Sequence, residues 1–306
     1  MILIITHKED YTADFVIDKL NKQSIKYYRF NCEDYLNTNL TINLGGIEKF
    51  SIEENNCFSS IWYRRTKLPD IDCVNASEKR YLLNEIDIFL QDLFGVLNSR
   101  WLSKPHAVSN AENKLLQLSL AKEIGFTLPR TLLTTDKNEL KGFLSKNSNT
   151  IIKPIGRGRI QYSENKAKLI FTSLIGQEVI AEIDSLELTP AIYQEYIEKE
   201  YELRVTVVGK DIFTSSVNSQ NLDETKVDWR RKKVKFEQCE MPTSLKEKCL
   251  LLMQKLDISF GAFDFIKGKD GEYYFLEVNP NGQWVWVEKD TGLPISDSII
   301  KFLTHE

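Results

Sequence analysis

GAFDFIKGKDGEYYFLEVNPNGQW, residues 261–284, holds two β-rich runs, Ala262 to Ile266 and Tyr273 to Val278, separated by Lys269-Asp270-Gly271. Asp-Gly between such runs is a strong hairpin signal, because glycine supplies the positive φ that a tight turn needs. A two-residue Asp270-Gly271 loop pairs 269 with 272 and so sets Asp264 opposite Glu277. Side chains alternate along a strand, which puts Asn279 on the face of Glu277. Two carboxylates and an amide oxygen then share one patch, set among Phe263, Phe265, Phe275 and Leu276.

Hard oxygen donors without His or Cys suit Mg²⁺, which takes one or two carboxylates and completes its shell with the phosphates of a nucleotide. An ATP-Mg²⁺ site is the sharp reading of Asp264, Glu277 and Asn279. A hairpin whose acids simply face water is the competing one. The following Asn279-Pro280-Asn281-Gly282 favours the former, since a tight turn there aims Asn279 back at the patch.

The chain has 306 residues, more than one compact layer holds, so two or three subdomains around a shared cleft are expected. Its 42% hydrophobic and 27% charged residues are those of an ordinary soluble globular chain, and a net charge of -4 argues against nucleic acid or an anionic membrane as bulk partner. The five cysteines show no metal spacing, and an odd count without a signal-peptide pattern points to reduced thiols and a cytoplasmic location. His7, His106 and His305 are too scattered for a zinc site or a catalytic triad, and no apolar run approaches a membrane span.

Met1 to Thr6 reads as a buried strand. Ala13, Val16, Ile17 and Leu20 follow at helical spacing, and Ile25 to Phe30 returns as a strand. This βαβ opening implies a parallel, Rossmann-like sheet, yet no GxGxxG follows the first strand. Phe58 to Tyr63 is a further strand running into Arg64-Arg65, a place where α/β sheets bind ligands, although a plain surface pair is the commoner case. Lys79 to Leu97 has the spacing of a long amphipathic helix. Ser109-x-x-Glu112 reads as a capping box opening a helix that stops at Gly125. Lys114 in its first turns is poorly placed near a positive helix end unless an anion lies there.

A second α+β unit runs from Thr131 to Ile192. Within it a strand ends at Lys153-Pro154, before Gly156-Arg157-Gly158, and a lysine beside such a loop brings ammonium and backbone N–H groups toward phosphates. GxxxxGK[ST] is absent, and a simple hairpin turn explains the glycines equally well. Gln194-Glu195-Tyr196-Ile197 is strand-like, and the next strand carries Glu202, Arg204 and Thr206 on one face. Asp228-Trp229-Arg230 lies in a charged loop, and Ser244-x-x-Glu247 reads as the cap of another helix.

The order of these pieces, from Lys114 to the end, resembles the ATP-grasp superfamily with a pre-ATP-grasp sheet before it. More narrowly, WYRR at 62–65, KLLQLSLAKEIGFTLPRTL from 114, DWR at 228–230 and LEVNPNGQW resemble the ligases that mature microviridin-like graspetides. The resemblance implies an α/β ATP-grasp fold divided as 1–104 (Rossmann-like pre-ATP-grasp), 105–195 (central α+β lid) and 196–306 (C-terminal α+β part with the metal site). It implies that Lys114 and Lys153, with the Gly156 and Gly158 loop, hold ATP phosphates, that Gln194 to Ile197 form the adenine hinge and that Glu202 binds the ribose. Asp264, Glu277 and Asn279 would hold Mg²⁺, and Arg204 and Arg230 would face the transferring phosphate.

In that family Asp or Glu side chains of a ribosomal precursor peptide become acyl phosphates, and attack by Thr or Ser gives an ester, or by Lys an amide. Arg64, Arg65 and the acidic Glu182, Asp184 and Glu187 are candidate contacts for the leader and core of such a peptide, and the relatives imply a homodimer. Two other readings stand beside this one: a RimK-like ligase adding amino acids to a protein tail or small molecule, and a non-catalytic ATP-binding regulator. The intact Asp264, Glu277 and Asn279 set argues against the regulator.

Overall fold

The computed structural model describes residues 1–306 apart from 45–48, 73–74, 148, 157, 164–165, 177, 186–187 and 306. Strand β1 (Ile2–Thr6) is wholly buried, as a central strand of a parallel sheet covered on both faces must be. Helix α1 (Tyr11–Lys22) starts at Asp10, whose carboxylate accepts from the backbone N–H of Thr12 and Ala13, and it buries Ala13, Val16 and Leu20. Next come β2 (Tyr27–Asn31), the hairpin of β3 (Leu40–Asn43) and β4 (Lys49–Ile52), β5 (Ser60–Tyr63), α2 (Ala76–Val96) and β6 (Arg100–Trp101). The sheet order is β2-β1-β5-β6, all parallel, which bears out the Rossmann-like opening.

Helices α3 (Pro105–Ala111) and α4 (Lys114–Ile124) correct one expectation. Ser109 lies inside α3, which opens on Pro105, a residue with no N–H to leave unsatisfied. The cap of α4 is Asn113, whose amide oxygen accepts from Leu115 N and Leu116 N at 3.1 Å each. Gly125, at φ 89°, closes α4 as expected. Then follow β7 (Thr131–Leu132), α5 (Lys137–Lys146), β8 (Thr150–Lys153), the hairpin of β9 (Arg159–Ser163) and β10 (Lys166–Leu169), β11 (Ser173–Ile175), α6 (Glu178–Glu182) and β12 (Ile192–Glu195). They form a central antiparallel sheet ordered β11-β8-β12-β7, with β9 and β10 paired separately.

The C-terminal part holds β13 (Lys199–Val208), β14 (Asp211–Val217), β15 (Glu237–Gln238), α7 (Thr243–Lys255), β16 (Phe260–Gly268), β17 (Tyr273–Asn279), α8 (Val285–Thr291) and α9 (Ile295–Thr304). Its sheet runs β15-β14-β13-β16-β17. The second capping box also fails: α7 starts at Thr243 behind Pro242 with no side-chain cap, so Ser244 is already helical. Leu203, Val205 and Val207 of β13 pack with Phe263, Phe265, Phe275 and α7's Cys249 and Leu252. The strand period of two sends Glu202, Arg204 and Thr206 to the other face.

The β16–β17 turn is one residue longer than expected. Gly268 N donates to Glu272 O at 2.9 Å around Lys269-Asp270-Gly271, with Gly271 at φ 88°. Phe265 therefore faces Phe275, and a bulge at Leu276 absorbs the extra residue and restores Asp264 opposite Glu277. The N-terminal sheet is fastened to the C-terminal part by Ser60 Oγ donating to Leu303 O at 2.6 Å and by Lys19 bridging Glu288 (2.9 Å) and Asp297 (3.0 Å). Among the described residues, no helix is long and apolar enough to cross a membrane.

Candidate active site

A cavity of about 320 Å³ opens between the central and C-terminal sheets. Lys114 enters it from the first turn of α4, Lys153 and Gly156 from the end of β8 and beyond, Gln194 to Ile197 from β12 and its exit, and Glu202 and Arg204 from β13. Arg230 comes from the loop after β14, and Asp264, Glu277 and Asn279 from β16 and β17. Residues far apart in sequence are thus brought to one wall by strand alternation and one bulge.

The carboxylates are already neutralised by cations of the chain. Arg204 Nη1 grips both oxygens of Asp264 at 2.8 Å each, and Lys114 Nζ pairs with Glu277 Oε2. The awkward position of Lys114 at a helix start is thereby explained by an anion inside the protein. Asn279 Nδ2 donates to Asp264 Oδ2 at 3.2 Å and to Glu277 Oε1 at 3.1 Å. Burial alone would raise the Glu277 carboxyl, but Lys114 and Lys153 outweigh it and hold Glu277 down to about 2. Asp264 is pushed up, because burial and the nearby Glu277 charge together exceed the pull of Arg204.

Lys153 is pushed down to about 8 by burial, against the attraction of Glu277, and its Nζ donates to Gln194 Oε1 at 3.1 Å. Gln194 in turn donates from Nε2 to Thr131 Oγ1 at 2.8 Å, so the strand end is fixed before any ligand arrives. Burial also raises Glu202, which accepts from Lys199 Nζ at 3.0 Å. Arg230 donates from Nε and Nη2 to Asp228 at 2.8 and 2.5 Å, and this pairing raises the guanidinium above its ordinary value.

Several sequence candidates fall elsewhere. Arg64 is not in the cavity: its side chain is 1% exposed, pairs with Asp10 at 3.2 Å and lies over the Trp62 ring. Arg64 N still donates to Ile5 O, so the strand continues through it, and Arg65, the next residue, points the opposite way and lines the cavity. Gly158 does not line the cavity. At φ 59° it lies where a Cβ would meet Ile170 O at 2.7 Å and Pro154 Cγ at 2.8 Å, so it shapes the turn. Glu182 and Asp184 are exposed away from the cavity, and Asp184 pairs with Lys141 at 2.7 Å. Glu187 and Arg157 lie outside the described residues.

Sequence reasoning missed Lys199 and Gln283 and named Leu276 only as a neighbour of the carboxylates, yet all three line the cavity. Strict alternation would turn Lys199 away from Glu202, three residues on, but a register shift between Lys199 and Tyr201 brings both to the same side. Leu276 is aimed inward by the bulge that carries it.

Residues 1–109 match the model of the MvdD pre-ATP grasp domain, and residues 111–303 match that of the RimK-like ATP-grasp domain. The chain belongs to the RimK-like ATP-grasp family. Among solved structures it resembles a Chryseobacterium gregarium RiPP-associated ATP-grasp ligase in complex with ADP and a leader and core peptide, with a TM-score of 0.90 and 30% identity over 99% of this chain and 96% of that one. It also resembles the Microcystis aeruginosa macrocyclase MdnC bound with precursor peptide MdnA, with a TM-score of 0.87 and 28% identity over 99% of each chain. The macrocyclase MdnB of the same organism matches with a TM-score of 0.79 and 30% identity over 100% of this chain and 99% of that one. Among curated proteins, the tetrahydromethanopterin:alpha-L-glutamate ligase of Methanocaldococcus jannaschii is 22% identical over 252 residues, 78% of this chain and 81% of that protein. The ATP-grasp resemblance read from the sequence, and the narrower one to peptide macrocyclases, are both borne out.

Proposed function

We propose that this chain is an ATP- and Mg²⁺-dependent, ADP-forming ligase that converts Asp or Glu side chains of a ribosomal precursor peptide into acyl phosphates and closes macrocyclic esters with Thr or Ser, or amides with Lys. The observation that carries this reading is the convergence of Lys114, Lys153, Arg204 and Arg230 on Asp264, Glu277 and Asn279 in one cavity. A carboxylate is inert toward alcohols at neutral pH. Its activation by ATP needs positioning and charge neutralisation more than a protein nucleophile.

Asp264, Glu277 and Asn279 fit Mg²⁺, since two carboxylates and an amide oxygen are hard donors in a patch that already attracts cations. Those three residues would hold Mg²⁺, and the ion would supply charge neutralisation for the nucleotide phosphates. Lys114 and Lys153 then hold the phosphates, Gln194 to Ile197 the adenine and Glu202 the ribose. Arg204 and Arg230 neutralise charge on the transferring phosphoryl group, which guanidinium forks do well.

In the same reading, residues 1–104, 105–195 and 196–306 are the three subdomains and Arg65 contacts the peptide at the cavity mouth. The Glu182–Glu187 segment meets a basic residue of its leader, and the protein works as a cytoplasmic homodimer. Light scattering checks the last point, and charge reversal at Glu182 and Asp184 should weaken leader affinity. The likeness to a glutamate ligase supports a second reading, addition of amino acids to a protein tail or a small molecule. Mass spectrometry of candidate precursor peptides carrying Asp or Glu with Thr, Ser or Lys, incubated with the protein, ATP and Mg²⁺, separates the two. Loss of one water per bond supports cyclisation, and added mass supports tailing and defeats the cyclase reading.

A further inference from the structure

We propose that Gln283 is a catalytic residue whose side-chain N–H groups hold the acyl oxygen of the substrate, and that Thr12 of the N-terminal subdomain is the positioning residue that turns them toward it. This rests on the acyl-phosphate reading above. Gln283 lines the cavity with Asp264, Glu277 and Arg230. Its backbone oxygen accepts from Arg204 Nη2 at 2.9 Å, so the residue is tied directly to the guanidinium that grips Asp264. Its side-chain Oε1 is taken by the hydroxyl of Thr12, a buried residue in the first turn of α1. That bond directs the amide: with Oε1 turned to Thr12, Nε2 and its two hydrogens face the other way, and Nε2 has no partner among the described residues.

Thr12 is itself held in place. Asp10 caps α1 through Thr12 N at 3.1 Å, accepts from Thr6 Oγ1 at 2.7 Å and pairs with Arg64. A buried salt bridge in the N-terminal sheet therefore fixes the orientation of a carboxamide in the catalytic cavity. Gly282 contributes from the other side, since a Cβ there would come within 3.0 Å of Arg204 Nη2 and 2.5 Å of Ala262 Cβ, and its absence lets the loop lie flat on the arginine.

The chemistry gives the amide its task. A carboxylate oxygen attacks the γ-phosphorus of ATP, the bond to the bridging oxygen breaks and ADP leaves. The substrate hydroxyl oxygen then attacks the acyl carbon, its proton passes to the departing phosphate, and the C–O bond to that phosphate breaks. In the second step the acyl oxygen gathers negative charge, and a preoriented neutral donor stabilises that charge without having gripped the substrate carboxylate as strongly beforehand. Arginine cannot make that distinction, because it binds the ground-state carboxylate as firmly.

The test uses the full chain with ATP, Mg²⁺ and the candidate precursor peptide that the wild-type protein modifies, with turnover read by mass spectrometry and ATP affinity by calorimetry. Gln283→Met keeps the shape and should lower kcat by ~10²-fold with ATP affinity unchanged, while the buried Thr12 hydroxyl, left without its acceptor, lowers the melting temperature modestly. Thr12→Val should lower kcat several-fold, and Thr12→Ser should restore it. Wild-type turnover in Gln283→Met, or a loss of ATP affinity matching the loss of kcat, overturns the assignment. Failure of Thr12→Ser to rescue removes Thr12 from it. If the wild-type protein adds mass to the peptide, the cyclase reading falls, while Gln283 is still judged by the rate of that addition. No product from the wild type with any candidate peptide defeats both.

Discussion

Replacing Asp264 by Asn tests the ion pair and the metal assignment together. Arg204 is 7% exposed in its side chain and makes two charge-assisted hydrogen bonds to Asp264, whose side chain is 21% exposed. Removing one charge from a fully buried pair costs about 3–5 kcal/mol. Here Asn keeps one acceptor, water reaches Asp264, Arg204 retains Gln283 O, and the burial and Glu277 repulsion that push Asp264 up are relieved, so about 2 kcal/mol is an upper figure. For a chain of this size that lowers the melting temperature by at most about 4 °C, and the protein stays folded. Product formation should nonetheless be lost if Asp264 holds Mg²⁺ as proposed, because the variant removes one of its two charged ligands. Thermal melts of Asp264→Asn, Arg204→Met and the double variant then give a coupling of up to about 2 kcal/mol. An additive cycle would refute the pairing, and near-normal turnover at saturating Mg²⁺ would refute the metal role.

Arg64→Met strands the buried Asp10 and should destabilise by about 3–5 kcal/mol, visible as a drop of roughly 10 °C in a thermal melt, with ATP affinity of the folded protein unchanged. Weakened ATP binding at full stability would instead return Arg64 to the cavity. Lys153, moved from 10.5 to about 8, gives a pH prediction. Between those values the unfolded chain binds more protons than the folded one, so the burial penalty present at neutral pH fades as pH rises through this window. Bound phosphates favour the charged lysine, so ATP binding should take up a proton above pH 8 and weaken by up to about tenfold per pH unit. Calorimetry in buffers of different ionisation enthalpy measures this, and a pH-independent affinity would remove Lys153 from the phosphates. Gly158→Ala should cost about 1–3 kcal/mol and raise the KM for ATP, because the turn cannot relax around Ile170 O; an unchanged melt refutes the steric argument. Arg204→Lys and Arg230→Lys keep charge but lose the fork, so turnover should fall far more than ATP affinity. Equal losses would make both arginines ground-state ATP ligands.

Legibility of the fold followed the simplest periodicities. Glu202 and Arg204 could be placed on one wall from sequence because β13 alternates without interruption across them. The pairing of Asp264 with Glu277 was read correctly through an incorrect turn, since a longer loop and a bulge cancel. Where a bulge did not cancel, as beside Lys199, an inward side chain went unseen. Bulges are decided by tertiary packing and leave no period behind them. The two capping boxes misled for a related reason, because Asn113 and the prolines at 105 and 242 set helix starts that a Ser-x-x-Glu pattern ignores. Arg64 and Arg65 were inseparable as a dipeptide and fell on opposite sides once the strand was known to run through the first of them.

The pairing of Lys114 with Glu277 and of Arg204 with Asp264 makes the cleft behave like an ion-exchange resin loaded with its own counterions. In the proposed function, nucleotide phosphates would draw on Lys114 and Arg204 and Mg²⁺ on Glu277 and Asp264, each taking a partner from an existing pair. Few bulk ions are released in such a swap, so the affinity for the metal–nucleotide complex should depend only weakly on salt, whereas nucleotide alone, with no cation to offer the two carboxylates, should bind poorly at any ionic strength.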